Sequence, residues 1–230
     1  QKTVLVGSDY ASLSGEAGEA RGNFWLHLPL PGADFHSEMY LAIGLRNSEA
    51  KHRETFLPYI LPANLLDWLH TSIGKAKVPA AGFIYRGALS GNEPHSRAIQ
   101  FYADIHDGDL QFDHAWPRLT ALNARLLVDD GNAVVRAWGG QLYNSVIEGA
   151  AVTVTQQAPG LAIHVNARAR GYAEDSLRIL RETPLHKVIG SALDSWRMPQ
   201  GLQTTALQLQ IPLASGGTAA YVPGYSNRTV

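Results

Sequence analysis

The 230-residue chain has no cysteine, so it forms no disulfide, offers no thiolate nucleophile and holds no zinc through cysteine. It also has no excess of either charge. The 19 basic and 20 acidic residues give a net charge of −1, which disfavours a nucleic-acid partner. No stretch reaches the roughly 18 uncharged apolar residues that span a bilayer. With 45% hydrophobic and 17% charged residues, the composition is that of a folded globular protein.

Sequence motifs of the common enzyme classes are also missing. There is no G-x-S-x-G, no phosphate-binding Gly-Lys loop and no H-E-x-x-H. The glycines of GEAGEARG (15–22) have the wrong spacing for a dinucleotide-binding turn. The acidic segments DIHDGD (104–109) and VDDGN (128–132) are more typical of hairpin turns than of metal sites, because alternate side chains on a strand diverge. We predict no enzyme activity, no catalytic residue, no metal site and no cofactor.

The sequence instead repeats an alternation of apolar and polar side chains, which is typical of half-buried strands. The segment IQFYADI (99–105) shows it, as do 161–171 and 201–213, and we count about ten strands in all. Asp107-Gly108 and Asp130-Gly131 predict hairpin turns, because Asp-Gly adopts the positive φ that tight hairpins need. The first of these turns would separate a strand over 97–106 from a second over 109–112.

Two stretches have helical spacing of apolar residues, 60–74 and about 173–197, and each carries a tryptophan. In the second, Thr183 can cap a helix and Pro184 can occupy its first turn. Trp68, Leu69, Leu193 and Trp196 are predicted to pack helix against sheet. Two helices are too few to cover the apolar face of a sheet of about ten strands. Either two sheets cover each other as a sandwich, or one curved sheet leaves an apolar trough.

Several segments between 56 and 213 resemble the AsmA-like YhdP family. They are FLPYILPANLLDWLHTSIGKAKVPAAGFIYRG, GFIYRGALS, IQFYADIHDGDLQFDHAWPRLTALNARLLVDDG, TPLHKVIGSALDSWRMPQG and LQLQIPL, and their order and spacing carry the resemblance. It implies an α+β fold, mainly antiparallel β. The sheet would be strongly curved and taco-like, with a hydrophobic inner face and two amphipathic helical stretches.

The resemblance also implies a function. Members of the family are large proteins of the Gram-negative envelope, held in the inner membrane by an N-terminal helix and reaching across the periplasm. Their implied role is passive movement of phospholipid toward the outer membrane. This chain would be an internal, periplasmic segment. Its partners would be phospholipid acyl chains and neighbouring segments of the same parent, and membrane contact would be made through parts outside this sequence.

The expected organisation is a β-meander over 1–58 that ends a preceding groove repeat, a groove unit over 59–214, and a flexible tail or the start of the next segment over 215–230. The alternative function is a rigid envelope scaffold that recruits proteins by strand addition. A third possibility, a glycan-modifying enzyme, would need a polar cleft in which carboxylates converge. Residues expected to line the groove are apolar positions on alternating strands, each of which ordinary core packing could also explain: Ile99, Phe101, Ile105, Leu110, Phe112, Leu126, Ile163, Val165, Leu207, Leu209 and Ile211.

Overall fold

The structure is a computed structural model that describes residues 3–56, 63–89, 96–157, 160–193, 195 and 200–213. One antiparallel sheet of ten strands dominates it, and each strand pairs with the next in chain order. The strands are β1 (Thr3–Gly15), β2 (Gly18–Pro29), β3 (Glu38–Glu49), β4 (Lys77–Ala88), β5 (Arg97–Leu110), β6 (Leu119–Asp129), β7 (Asn132–Leu142), β8 (Ser145–Gln157), β9 (Gly160–Tyr172) and β10 (Leu202–Leu213).

Within the described residues, helices occur in two of the nine connections between strands. A 3-10 turn (Ala50–His52), α1 (Arg53–Phe56) and α2 (Ala63–Ser72) follow β3, whereas α3 (Ala173–Glu182), α4 (His186–Ile189) and a second 3-10 turn (Gly190–Leu193) follow β9. Successive strands run in opposite directions, so every connection after an odd-numbered strand lies at the same end of the sheet. All of the described helices therefore lie at one end of the sheet, which we call the helical end.

The sheet is curled but open, because within the described residues β1 and β10 do not pair with each other. The predicted fold class, mainly antiparallel β with a few short helices, is confirmed. The expected division near residue 58 falls within the connection between β3 and β4. These strands pair along their whole length, from Glu38↔Ala88 to Glu49↔Lys77. The division stays a prediction, as does the separate tail, which lies outside the described residues.

The predicted hairpin at Asp107-Gly108 is wrong. Asp107 does have a positive φ of 50°, but β5 runs through it to Leu110, with shifts of register on either side of Gly108. The reason is long-range pairing: the Asp109 amide donates to the carbonyl of Lys75 at 2.8 Å, and the Gly74 amide donates to the carbonyl of Asp109 at 3.0 Å. Asp107 therefore forms part of a bulge, which lets the strand continue. The separate strand predicted over 109–112 is wrong for the same reason.

The hairpin at Asp130-Gly131 is confirmed, since it joins β6 to β7 and Asp130 has a φ of 51°. The first predicted helix appears as α2, while Pro62 and the side chain of Trp68 lie outside the described residues. The second is interrupted. Thr183 lies between α3 and α4, and its hydroxyl oxygen accepts from the Leu185 amide at 3.3 Å. The N-cap of α4 is Leu185, not Thr183, and it forms no side-chain capping hydrogen bond.

The continuous helix expected to residue 197 is wrong in its second half, because α4 ends at Ile189. Gly190 follows with a φ of 59° and a ψ of −148°, a conformation that interrupts the helix and that glycine adopts more readily than other residues. Trp196 and the side chain of Leu193 lie outside the described residues.

The hydrophobic core is thin. Among the described residues, Tyr85 is the one large side chain that is completely buried, and its hydroxyl donates to the Ala88 carbonyl. Several other buried apolar side chains are small, such as Ala103 at 5% and Ala124 at 0% exposure. A single sheet with no second layer buries its apolar face only in part.

Close packing of β2 on β3 predicts opposite effects for two neighbouring glycines. A Cβ at Gly22 would lie 2.2 Å from the backbone oxygen of Ala42, whereas one at Gly44 would meet nothing nearer than 3.9 Å. We expect Gly22→Ala to lower the free energy of unfolding by about 1–3 kcal/mol through overpacking. We expect Gly44→Ala to raise it by about 0.5 kcal/mol through reduced chain entropy. Urea denaturation measures both, and equal effects would contradict the described pairing.

Candidate functional site

Cross-strand pairing brings apolar side chains from all ten strands to one face of the sheet, which we call the apolar face. Directly paired residues point to the same side. The register therefore defines rows that cross the sheet from strand to strand. One row runs Ala103, Leu126, Val135, Val152, Val165 and Leu209. The adjacent row runs Ala11, Gly22, Ile43, Phe83, Phe101, Val128, Ala133, Val154, Ile163 and Ile211.

Most of the predicted groove residues meet on this face. Eight have their side chains in its rows, and Ile211 joins by its pairing with Ile163, although its own side chain lies outside the description. The eight are Ile99, Phe101, Ile105, Leu126, Ile163, Val165, Leu207 and Leu209.

Leu110 and Phe112 do not extend these rows. Leu110 is the last residue of β5 and forms a β-bridge with Ile73, which follows α2. Phe112 lies beyond the strand, where its ring centroid is 5.5 Å from that of Trp116. Both residues belong to the helical end of the sheet.

The apolar face also contains side chains that were not on the predicted list, including Phe83, Ile43, Val135 and Val152. The signal that could have found them is the same alternation, which 132–138 and 144–154 also carry. Only the register shows that they fall into rows with the predicted residues, because pairing cannot be read from one strand alone.

Exposure along the apolar face is intermediate. Phe101, Leu126 and Val165 are half-buried, Leu209 is 8% exposed and Ile43 is 37% exposed. These side chains are shielded by one another and by the curl of the sheet. The face is therefore partly open to a ligand.

Helix α3 covers the apolar face at the helical end. The Ser176 hydroxyl lies 3.1 Å from that of Thr205, which pairs with Ala169 and so belongs to the apolar face. Leu177, one residue further along α3, is 4% exposed. The apolar rows thus end in polar residues where the helix lies over them.

A buried carboxylate fastens α3 to the turn between β7 and β8. Asp175 is 2% exposed, and its Oδ2 accepts from the Asn144 amide at 3.0 Å and from the Ser145 hydroxyl at 2.7 Å. Hydrogen bonds of this kind satisfy a charge that would otherwise be costly to bury.

A second cluster reinforces the attachment of α3. The Tyr143 hydroxyl donates to Glu182 at 2.9 Å, and the Arg178 guanidinium lies 3.8 Å from the centroid of the Tyr143 ring. Burial, aided by the Glu182 carboxylate, raises the pKa of Tyr143 to about 12. The hydrogen bonds from Arg178 and then Tyr143 lower the pKa of Glu182.

The opposite face, which we call the polar face, carries most of the charged strand residues. Arg125 holds Asp104 through two hydrogen bonds of 2.7 and 3.1 Å, and the Tyr102 hydroxyl also donates to this carboxylate. The bonds from Arg125 and then Tyr102 lower the pKa of Asp104. Lys75 lies 3.5 Å from Asp107. Two of the three acidic residues of the segment 104–109 are thus partnered by basic side chains, whereas Asp109 Oδ1 is buried without a hydrogen-bond partner.

A hollow of about 790 Å³ crosses β1 to β6. It is lined by three-residue runs such as Ala42–Gly44 and Gly82–Ile84. The outer two residues of each run belong to the polar face by register, and the middle one points to the apolar face. The lining therefore includes one row of the apolar face, with the predicted groove residue Phe101 in it, together with residues of the polar face.

In the part of the chain that the structure describes, no set of three or more His, Asp or Glu side chains is placed to hold a metal ion. No described helix has the length and apolarity to cross a membrane.

A single curled antiparallel sheet, a continuous apolar face and helices gathered at one end define a groove-type β-sheet protein. The family model described as "YhdP protein" matches residues 10–227, so the chain belongs to the YhdP family. This result confirms the resemblance noted in the sequence and places the chain among AsmA-like lipid-transport proteins of the cell envelope. No curated protein and no solved structure matches the chain.

The buried Asp175 predicts a strong effect of its removal. Asp175→Ala leaves the Asn144 amide and the Ser145 hydroxyl without their acceptor, so we expect the free energy of unfolding to fall by about 1–3 kcal/mol. Glu174→Ala, one residue away and exposed, is the matched control and should change little. Urea denaturation measures stability, and hydrogen exchange of the α3 amides tests the local effect. Equal behaviour of the two variants would refute the role of Asp175.

Asp104 and Glu182 predict a loss of stability in acid. Each carboxyl has a lowered pKa in the folded state, so its contribution is complete above its unfolded value and disappears as pH falls through the folded one. The free energy of unfolding should begin to decline near pH 4.5 and continue below pH 3.8, the two reference values. In the double variant Asp104→Asn, Glu182→Gln the slope should be shallower. A pH series of denaturation curves checks this, and an unchanged slope would contradict it.

Proposed function

We propose that this chain is an internal segment of a periplasmic, AsmA-like bridge, and that its apolar face carries phospholipid acyl chains between the inner and outer membranes. The observation that carries the proposal is the alignment of apolar rows across strands β1 to β10. Membership of the YhdP family supports it.

The energy of lipid transfer explains why such a face is needed. Exposing an acyl chain to water costs about 0.8 kcal/mol per methylene, so a chain of about sixteen carbons faces a barrier on the order of 12 kcal/mol. A partly open apolar surface replaces water around the chain along the whole path. No bond has to be made or broken, so the proposed transport is passive, and its net direction comes from a gradient or a partner.

The dimensions of the sheet suit a path that runs across the strands. Nine interstrand steps of about 4.8 Å give roughly 43 Å along the curled sheet. In the strand direction, Ile99 to Ile105 covers about 20 Å at ~3.3 Å per residue. Such a surface supplies one section of a longer lipid path, in keeping with the expectation that neighbouring segments of the same parent continue it.

A second candidate function rests on β1. Its outer edge is unpaired within the described residues, and it carries large exposed apolar side chains, among them Leu5 at 61%, Tyr10 at 65% and Leu13 at 62%. An unpaired edge of this length can accept a strand from another protein. A scaffold that recruits partners in this way would need no lipid on the apolar face.

Site-specific photo-crosslinking distinguishes the two functions. A benzophenone amino acid at Val165 lies on the apolar face, whereas the same probe at Asn166 lies on the polar face of the same strand. We expect crosslinks to phospholipid at position 165 and, at position 166, a yield lower by about tenfold, because burial of an acyl chain favours only the apolar side.

Native mass spectrometry of the unmodified chain provides an independent readout. Phospholipid should remain bound to the purified protein and should be displaced by excess free fatty acid. Equal crosslinking at the two positions, or a protein free of lipid when purified from cells, would reject lipid transport and favour the scaffold.

A further inference from the structure

On the polar face of β7, β8 and β9, small side chains lie between two exposed arginines. Gly149 and Ala151 of β8 flank Ala150, whose side chain belongs to the apolar face, so both are on the polar face. Ala151 pairs with Arg136 on β7, and Gly149 pairs with Arg168 on β9. Two interstrand steps of about 4.8 Å place the two arginine strands roughly 10 Å apart. We call this surface, together with the neighbouring Trp138, the basic strip.

Arg136 stands directly opposite another arginine. Its two cross-strand partners are Arg125 and Ala151, and the Arg125 guanidinium already binds the Asp104 carboxylate through two hydrogen bonds. Within the described residues Arg136 forms no ion pair. Like charges placed directly opposite each other destabilise a sheet. The position of Arg136 therefore costs the isolated chain stability, and a bound anion would offset that cost.

Arg168 also lacks an acidic neighbour across the strands. It pairs with Gly149 on one side and with Ala206 on the other, and among the described residues no ion pair includes it. Arg170, two residues further along β9, lies 3.2 Å from the Glu148 carboxylate and is therefore balanced. The basic strip thus presents two positive charges that no described carboxylate neutralises, between two arginines that are ion-paired.

An exposed aromatic ring lies beside Arg136. Trp138 is 51% exposed, and it follows Ala137, whose pairing with Ala150 puts it on the apolar face, so Trp138 points to the polar face. The edge of its ring packs against His106, with 6.2 Å between the ring centroids, which restricts its orientation. Tryptophan and arginine are the residue types that most often dominate binding at protein interfaces.

We propose that the basic strip binds an acidic, extended segment of a partner protein. A guanidinium holds a carboxylate through two parallel hydrogen bonds, so Arg136 and Arg168 can each take one acidic side chain. Their levels along β8 differ by two residues, or about 6.6 Å, which is also the spacing of side chains two positions apart in an extended segment. The small side chains of Gly149 and Ala151 leave room for the backbone of that segment between the arginines.

The number of unbalanced charges favours a peptide over a membrane surface. An anionic bilayer attracts clusters of several basic residues, whereas the basic strip offers two. A peptide needs only matched charges at two points and an apolar contact, which Trp138 supplies.

Two double variants test the proposal. Arg136→Gln with Arg168→Gln removes both unbalanced charges of the basic strip. Arg46→Gln with Arg86→Gln removes two exposed arginines from β3 and β4 on the same face, outside the strip, and changes the net charge equally. All four side chains are exposed, so both double variants should fold with melting temperatures close to that of the unchanged chain.

The probe is a hexaglutamate peptide, titrated into the 230-residue chain and followed by amide and indole shifts in NMR spectra. We expect saturable binding with a Kd of about 1 mM or lower at low salt, with shifts in β7, β8 and β9 and at the Trp138 indole. The variant of Arg136 and Arg168 should weaken it by about tenfold or more, and the control variant by less than about twofold. Hexalysine should not bind, and added salt should weaken the hexaglutamate complex.

Three outcomes would overturn the proposal. The first is that hexaglutamate does not saturate, the second is that the two double variants weaken binding equally, and the third is that the shifts lie outside β7 to β9. If vesicles of phosphatidylglycerol bind through Arg136 and Arg168 while hexaglutamate has no effect, the strip is a membrane site and the assignment to a protein partner fails. None of these results bears on lipid crosslinking at Val165 or on strand addition at β1, so the proposals fail separately.

Discussion

Register is the constraint on which this structure depends. In a strand, neighbouring side chains point to opposite faces, so a slip of one residue in any pairing would move all apolar residues of that strand to the other side. Here nine successive pairings keep the same phase, and rows such as Val135, Val152 and Val165 stay aligned. The continuous apolar face is thus a property of the pairings more than of any single strand.

Bulges keep the apolar side chains on one face at positions where strict alternation along the strand would move them to the other face. In β8, Ile147 has an odd number, whereas Ala150 and Val152 have even ones, yet all three share the apolar face. The register shift between Ile147 and Gly149 accounts for this. A comparable shift in β1, between Ser8 and Ala11, has the same consequence. Bulges also increase local twist, so the residues that correct the phase contribute to the curl of the sheet.

The limits of prediction from the sequence are visible in two Asp-Gly pairs. Asp107 and Asp130 have nearly the same φ, 50° and 51°, and each is followed by a glycine. The chain reverses after Asp130 but continues after Asp107, because the backbone beyond it hydrogen-bonds to Gly74 and Lys75. The positive φ that Asp-Gly favours occurs at both positions, but the hairpin predicted from it forms only at Asp130-Gly131. What decided the outcome was a pairing between residues more than thirty positions apart, and a single sequence does not encode such pairings in its local pattern.

The same distinction separates the two surfaces. Alternation within each strand was enough to choose Phe101, Leu126 and Val165, because a repeated pattern predicts a face whichever strands are neighbours. The pairing of Gly44 with Gly82 could not be found in this way, since it depends on which strands are neighbours. Each glycine by itself is an ordinary weak point in a strand. Paired, they leave two adjacent strands without side chains at one level of the polar face, which neither glycine indicates by itself.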